Sequence, residues 1–272
     1  MPTEYEHLLF DVRNDVAWVT FNRPEKLNCI NLTMRSELFD AIDTIRASSD
    51  IRAAVFTGAG RAFCTGADLT SPGGFHVEGE GTRGHTLDHL KSNLRWSWPR
   101  LNQLLWEVDK PTVAAVNGWA LGFGFHFALY CDFLIASEDA RFQFIWGRRG
   151  LPVEAAGAYI LPRLVGINKA KELILLADPF SPQEAKEMGL ATRVVPADEL
   201  LPHVTEFAER LASGPTRIMG IHKRQIQMSL DSTIERSTYD EINALILTSQ
   251  SSDAQEARKA FGERREPNYT GQ

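Results

Sequence analysis

A chain of 272 residues, 43% hydrophobic and 24% charged, can bury one large core with a smaller appended segment, which sets aside fibrous and disordered classes. Its formal net charge of -6 gives no sequence-wide basis for holding nucleic acid or an anionic membrane, so a small ligand is the expected partner. Cys29, Cys64 and Cys131 are odd in number and lack the paired spacing of a zinc site or disulfide framework, so they are expected as buried small residues in a reducing compartment. The start, MPTEYEHLLFDVR, has no cationic head followed by an apolar stretch, and no apolar run reaches the roughly 20 residues of a membrane span, so a cytoplasmic location is expected.

In chain order, LLFDVR and VAWVTFN flank Asn14-Asp15 and predict a β-hairpin, with Trp18 and Thr20 alternating against Val19 and Phe21. Met34, Leu38, Ile42 and Ile45 then recur at helical spacing, and AAVFTG from Ala53 reads as a buried strand. VAAVNG from Val113, a Gly-rich helix start and FLIAS from Phe133 repeat the pattern, which predicts a layered α/β architecture. Between the two repeats, TSPGGFHVEGEGTRG from Thr70 is rich in turn formers and predicts a mobile loop, with helical periodicity resuming near Leu87. Trp96, Trp98 and Trp106 serve either the core or an acyl pocket, core being the commoner use of aromatics. Ser181-Pro-Gln-Glu184 predicts a capping box opening a helix that stops before Gly189, and Ser232-Thr-Ile-Glu235 predicts another. Beyond about residue 198 only helices are expected, packed on the core or on another subunit.

Two loops carry chemistry. GRAFCTGADL, after the strand at Ala53, places Gly66 where the backbone can turn tightly and aim the amide of Ala67 outward. VNGWALGFGFHFALYCDFLIAS from Val116 runs from strand into a helix whose first turn contains Gly122, Phe123 and Gly124, and helix N-terminal amides favour negative charge. Two such amides converging would stabilise an enolate or a tetrahedral oxyanion, whereas either loop alone is also an ordinary structural turn.

Both segments and their order resemble the enoyl-CoA hydratase/isomerase (crotonase) family. So do FNRPEKLNCIN near the start, GLPVEAAGAYILPRLVG from Gly150, EAKEMGLATRVVPADEL from Glu184 and AFGERREPNY from Ala260. The resemblance implies a crotonase-type α/β fold of repeated β-β-α units, with residues 1–197 as the acyl-CoA-binding core and 198–272 as a helical oligomerisation segment. It implies oxyanion donors at the amides of Ala67 and Phe123, where the family normally carries glycine at the second position. It sets Lys26, Leu27, Gly66, Asp68 and Leu69 along coenzyme A, which is the substrate carrier rather than a cofactor. It also implies a trimer or dimer of trimers in which Phe261 meets the adenine and Arg264 a phosphate of a neighbour's CoA; Arg there keeps the charge of the more usual Lys.

Where family hydratases carry two glutamates, this chain has His126 and Trp146. Trp146 cannot transfer the proton. His126 can, because imidazole titrates near neutrality, but between Phe125 and Phe127 it is equally a core residue. Glu154 matches a position where family isomerases often carry a glutamate, and one carboxylate can take a proton from C2 and return it at C4. Its neighbours Val153, Ala155 and Ala156 would raise its pKa by desolvation, unless Arg148, Arg149 or Arg163 pairs with it. Asp68 is expected to accept loop N–H bonds. His85 and His89 share a helical spacing without a third ligand, and NGWALGFG lacks the dinucleotide fingerprint, so neither metal nor nicotinamide is expected. Double-bond isomerisation through Glu154 leads; hydration through His126, Glu154 and water, thioester hydrolysis, and non-catalytic acyl-CoA binding are the alternatives. Trp96, Trp98 and Phe75 hint at a bulky acyl tail.

Overall fold

The computed structural model of the chain describes residues 4–70 and 98–271. Strands β1 (Leu8–Arg13) and β2 (Val16–Phe21) form the expected antiparallel hairpin. At its turn Asn14 and Asp15 have φ of +50° and +60°, a left-handed pair whose twist suits a hairpin and which Asn and Asp tolerate. Alternation along β2 feeds two cores: Val19 and Phe21 enter one, Val16 and Trp18 the other. Helix α1 (Leu32–Ala47) is capped by the Asn31 side chain, which accepts the Met34 N–H at 2.9 Å, and it buries the predicted stripe of Met34, Leu38, Ile42 and Ile45.

From here one pattern recurs: a strand of a large sheet, then a short strand of a second sheet. β3 (Ala53–Gly58) leads to β4 (Ala62–Cys64). After α2 (Trp98–Trp106), β5 (Thr112–Val116) leads to β6 (Trp119–Leu121) and helix α3 (Phe123–Tyr130), and β7 (Phe133–Ser137) leads to β8 (Arg141–Gln143). Helices α4 (Gly157–Val165), α5 (Ile167–Leu176) and α6 (Pro182–Glu187) precede β9 (Arg193–Val195). The six-stranded sheet runs β1-β2-β3-β5-β7-β9, parallel after the hairpin, and the small parallel sheet runs β4-β6-β8.

A parallel sheet needs cover on both faces. One face meets α1 and α3 across the larger core, where Phe21, Phe56 and Phe63 pack edge to face with ring centroids 5.1 to 5.5 Å apart, partly through Phe127. The other is covered by α7 (Leu200–Ala212), whose Leu200, Val204 and Phe207 join Val55, Val113 and Ile135. Helices α8 (Thr216–Ser229), α9 (Ile234–Thr248) and α10 (Ser252–Glu263) complete the tail.

The Ser181–Glu184 capping box forms in both directions. The second is displaced by one residue. Ser232 turns its hydroxyl to the Thr233 carbonyl, and Thr233 instead caps α9 by accepting the Arg236 N–H at 3.3 Å. Cys64 and Cys131 are buried and Cys29 is half-buried. No helix among the described residues is long and apolar enough to cross a membrane. Phe75, His85, Leu87, His89 and Trp96 lie outside the described residues, as does the Gly-rich loop beyond Thr70.

Candidate active site

Asn28 organises the approach to the site. Its buried side-chain amide donates to the carbonyls of Ala59 and Ala62 at 2.9 and 2.7 Å, while its oxygen accepts the Arg23 N–H at 2.9 Å. The Thr65 hydroxyl then ties to the Leu27 carbonyl at 3.1 Å. At Gly66 the chain takes φ of +93°, which an L side chain rarely adopts. Ile30 N–H to Gly66 O (2.8 Å) and Asp68 N–H to Ile30 O (2.9 Å) fasten the loop on both sides of Ala67, whose own amide meets no acceptor among the described residues.

The segment that opens α3 lies against this loop. A Cβ on Gly66 would stand 3.4 Å from the Phe123 nitrogen, and one on Gly124 would fall 2.2 Å from the Cys64 carbonyl oxygen, so only glycine lets α3 start this close to β4. Phe123 opens α3 just ahead of the rung from His126 N–H to Gly122 O at 3.0 Å. Its ring is buried in the larger core, so the backbone is what it can offer to a ligand. Ala67 and Phe123 border one cavity of about 270 Å3, where a loop amide and a helix N-terminus together favour a developing oxyanion.

Leu27, Leu69, Leu121, Ile145, Trp146 and Leu151 give that cavity apolar walls, and Glu154 is the one acidic residue among the described residues lining it. The Trp146 indole N–H donates to Glu154 Oε1 at 3.3 Å. Burial raises the Glu154 carboxyl from the usual range to about 7, with the indole bond pulling the other way. The competing arginine pairs do not form among the described residues: Arg148 bonds Asp178, Arg163 bonds Asp231 at 2.9 Å, and Arg149, exposed on the same cavity, makes no ion pair. Just past Glu154, Ala155 and Ala156 both have φ of +55°, and the Gly157 N–H closes the turn on the Glu154 carbonyl at 3.0 Å.

His126 lies behind this wall. Its ring packs 4.4 Å from Trp146 and 5.4 Å from Phe144 between centroids, and a Cβ on Gly157 would fall 1.8 Å from its Cε1. It is fully buried, does not line the cavity, and neither ring nitrogen makes a well-formed hydrogen bond among the described residues. Burial lowers its pKa to about 3, opposed in part by the nearby Glu154 backbone carbonyl, so the imidazole is neutral. The two positions equated with paired glutamates thus hold two rings packed on each other at a tilt of 41°. Trp146 positions a carboxyl rather than replacing one, a role that the sequence did not disclose because nothing local in an eight-residue separation marks that bond.

Of the residues expected along coenzyme A, Gly66, Leu27 and Leu69 line the cavity, and Lys26 is exposed on the short Pro24–Lys26 turn beside it. Asp68 does not line it. Its buried carboxylate pairs with Arg23 at 3.1 Å and accepts the Thr70 N–H and hydroxyl at 3.0 and 2.6 Å, so the side chain is a strut for the loop. Phe261, 87% exposed on α10, and Arg264, at the end of that helix, stand apart from the cavity of their own chain. Trp106 packs edge to face on Tyr130 at 5.7 Å, against the larger core. No group of three or more potential metal ligands occurs among the described residues.

The family model described as enoyl-CoA hydratase/isomerase matches residues 11–272. A probable enoyl-CoA hydratase of Rhodobacter capsulatus is 34% identical over 98% of this chain and 99% of that protein. A 1,2-epoxyphenylacetyl-CoA isomerase of Escherichia coli is 33% identical over the same shares. A crystal structure of an enoyl-CoA hydratase from Bacillus anthracis superposes with a TM-score of 0.88 at 30% identity, over 98% of this chain and all of that one. The chain belongs to the enoyl-CoA hydratase/isomerase family, and it is an acyl-CoA enzyme with the crotonase fold.

Proposed function

We propose that this enzyme shifts the double bond of an enoyl-CoA from the 3 to the 2 position. The amides of Ala67 and Phe123 hold the thioester oxygen as charge develops on it, and Glu154 takes a proton from C2 and returns it at C4. The observation that carries the reading is the Glu154 carboxyl, the one carboxyl among the described residues on the cavity bordered by both amides, with a pKa of about 7. Near neutrality such a group is poised both to accept and to donate. Hydration is the second reading, supported by the relative named as a hydratase. It would depend on Glu154 and a bound water, since neutral His126 is separated from the cavity by Trp146.

The acyl-CoA is the ligand, and proton transfer beside an oxyanion calls for no metal or redox cofactor; dialysis against a chelator should leave turnover intact. The assembly we propose is a homotrimer or a dimer of trimers, with Phe261 and Arg264 reaching a neighbour's CoA, in the cytoplasm. Two assays test the chemistry. Incubating a saturated acyl-CoA with the enzyme in deuterated water should exchange the C2 protons, and 3-enoyl-CoA should yield 2-enoyl-CoA faster than 2-enoyl-CoA takes up water. Hydration as the faster reaction overturns isomerisation, release of free CoA favours a hydrolase, and no exchange with any bound thioester leaves a non-catalytic binder.

A further inference from the structure

We propose that Asn102 is a positioning residue, clamping the turn that presents Glu154 to the cavity. This rests on the assignment of Glu154 as the proton carrier. Asn102 lies inside α2, where Asn is a weak helix former, and it is 1% exposed. Its Nδ2 donates across 53 residues of sequence to the Ala155 carbonyl at 3.4 Å, and its Oδ1 has no partner among the described residues. A buried amide with one unpaired oxygen is a poor core residue, and leucine would fill the same shape without that penalty. The side chain therefore calls for a use beyond packing.

The turn it holds supplies one. Ala155 and Ala156 are L residues with φ of +55°, a conformation that costs each of them energy unless neighbouring contacts enforce it. Bonds on every side do so: Gly157 N–H to the Glu154 carbonyl, Tyr159 and Ile160 N–H to the Ala156 carbonyl at 2.9 and 3.1 Å, the Trp146 indole to the Glu154 carboxyl, and Asn102 to the Ala155 carbonyl between them. Among the described residues the Ala155 carbonyl has no other donor. Without Asn102 that buried oxygen gains by swinging toward water, and the left-handed pair relaxes with it. Glu154, the residue before, then leaves its place beside the two donor amides.

The test is Asn102→Leu, which keeps the volume and removes the donor, with Asn102→Ala as a second variant should the first fail to fold. The expected result is a folded enzyme with acyl-CoA affinity little changed and kcat for proton transfer lowered about 10-fold to 100-fold, the scale of a misplacement of about 1 Å. The acid limb of its pH–rate profile should move downward, because the carboxyl loses its shelter; the charged or titratable groups sharing its surroundings are Arg149 on the cavity and His126 behind Trp146. Adding Ala156→Gly should restore part of kcat, since glycine takes positive φ without strain. An unchanged kcat and profile in a folded variant overturns the proposal. A kcat that falls only in step with melting temperature, with the profile unmoved, overturns it too. Glu154→Gln measured alongside separates the two claims: if it is silent, the Glu154 assignment fails, and if it abolishes turnover while Asn102→Leu is silent, only the clamp fails.

Discussion

Glu154 and His126 are pushed by burial in opposite directions, one carboxyl up to about 7 and one imidazole down to about 3. Both shifts favour the neutral form, and their consequences for stability run oppositely with pH. The folded state holds the Glu154 proton more tightly than the unfolded chain, so that contribution is present below the ordinary carboxyl pKa of 4.5 and is lost as pH rises through about 7. Glu154→Gln should therefore gain melting temperature over the parent progressively across that window. For His126 the unfolded chain binds the proton more readily, so stability is lost as pH falls from 6.5 toward about 3. His126→Leu should remove that loss while retaining turnover, since neither ring nitrogen makes a well-formed hydrogen bond among the described residues and the ring does not line the cavity. A His126→Leu enzyme with intact fold and no activity would show that the imidazole does more than fill space.

At the scale of elements, the site depends on how closely α3 approaches the end of β4. Gly124→Ala would drive a methyl group to 2.2 Å from the Cys64 carbonyl oxygen, and separating the two amides proposed as oxyanion donors should lower kcat by about 100-fold, the loss typical of one oxyanion donor. Circular dichroism and kcat on one preparation check this; full activity would mean that the loops need not converge. The hairpin, α1, β3 and β7 were legible because alternation and helical spacing run long enough to read. The second sheet was not, since β4, β6 and β8 have three residues each, too short to show a period. The cap of α9 slipped because Ser232 and Thr233 compete for one role, and only side-chain geometry decides between them. At the candidate site, the two Gly-rich loops and Glu154, singled out by the family resemblance, border one cavity. The indole bond of Trp146 and the reach of Asn102 were not legible in the sequence, because they join irregular backbone to distant elements.

For the whole molecule, the tail divides in two. Helix α7 closes the second face of the sheet, whereas α9 buries none of its residues in this chain and exposes Ile234, Tyr239, Leu245, Ile246 and Leu247. An apolar surface of that kind fits the proposed homotrimer, which light scattering at micromolar concentration should detect. A monomer would contradict it. If Arg264 reaches a neighbour's CoA, Arg264→Ala should weaken acyl-CoA binding while leaving assembly unchanged; equal affinity would exclude that contact. Within the chain, Asp68→Ala should destabilise by about 3 kcal/mol, since it leaves the buried Arg23 guanidinium with its bond to the Cys29 carbonyl but without the Asp68 counter-charge, and a denaturant melt measures it.

The most direct test of the account compares turnover of one 3-enoyl-CoA by the parent, Glu154→Gln and His126→Gln. The Glu154 variant should bind the thioester as the parent does and lose about 100-fold or more in kcat, the scale of a missing general acid/base, while the His126 variant loses far less. Near-normal turnover by Glu154→Gln, together with its abolition in His126→Gln, would contradict the assignment and move the proton to the helix position.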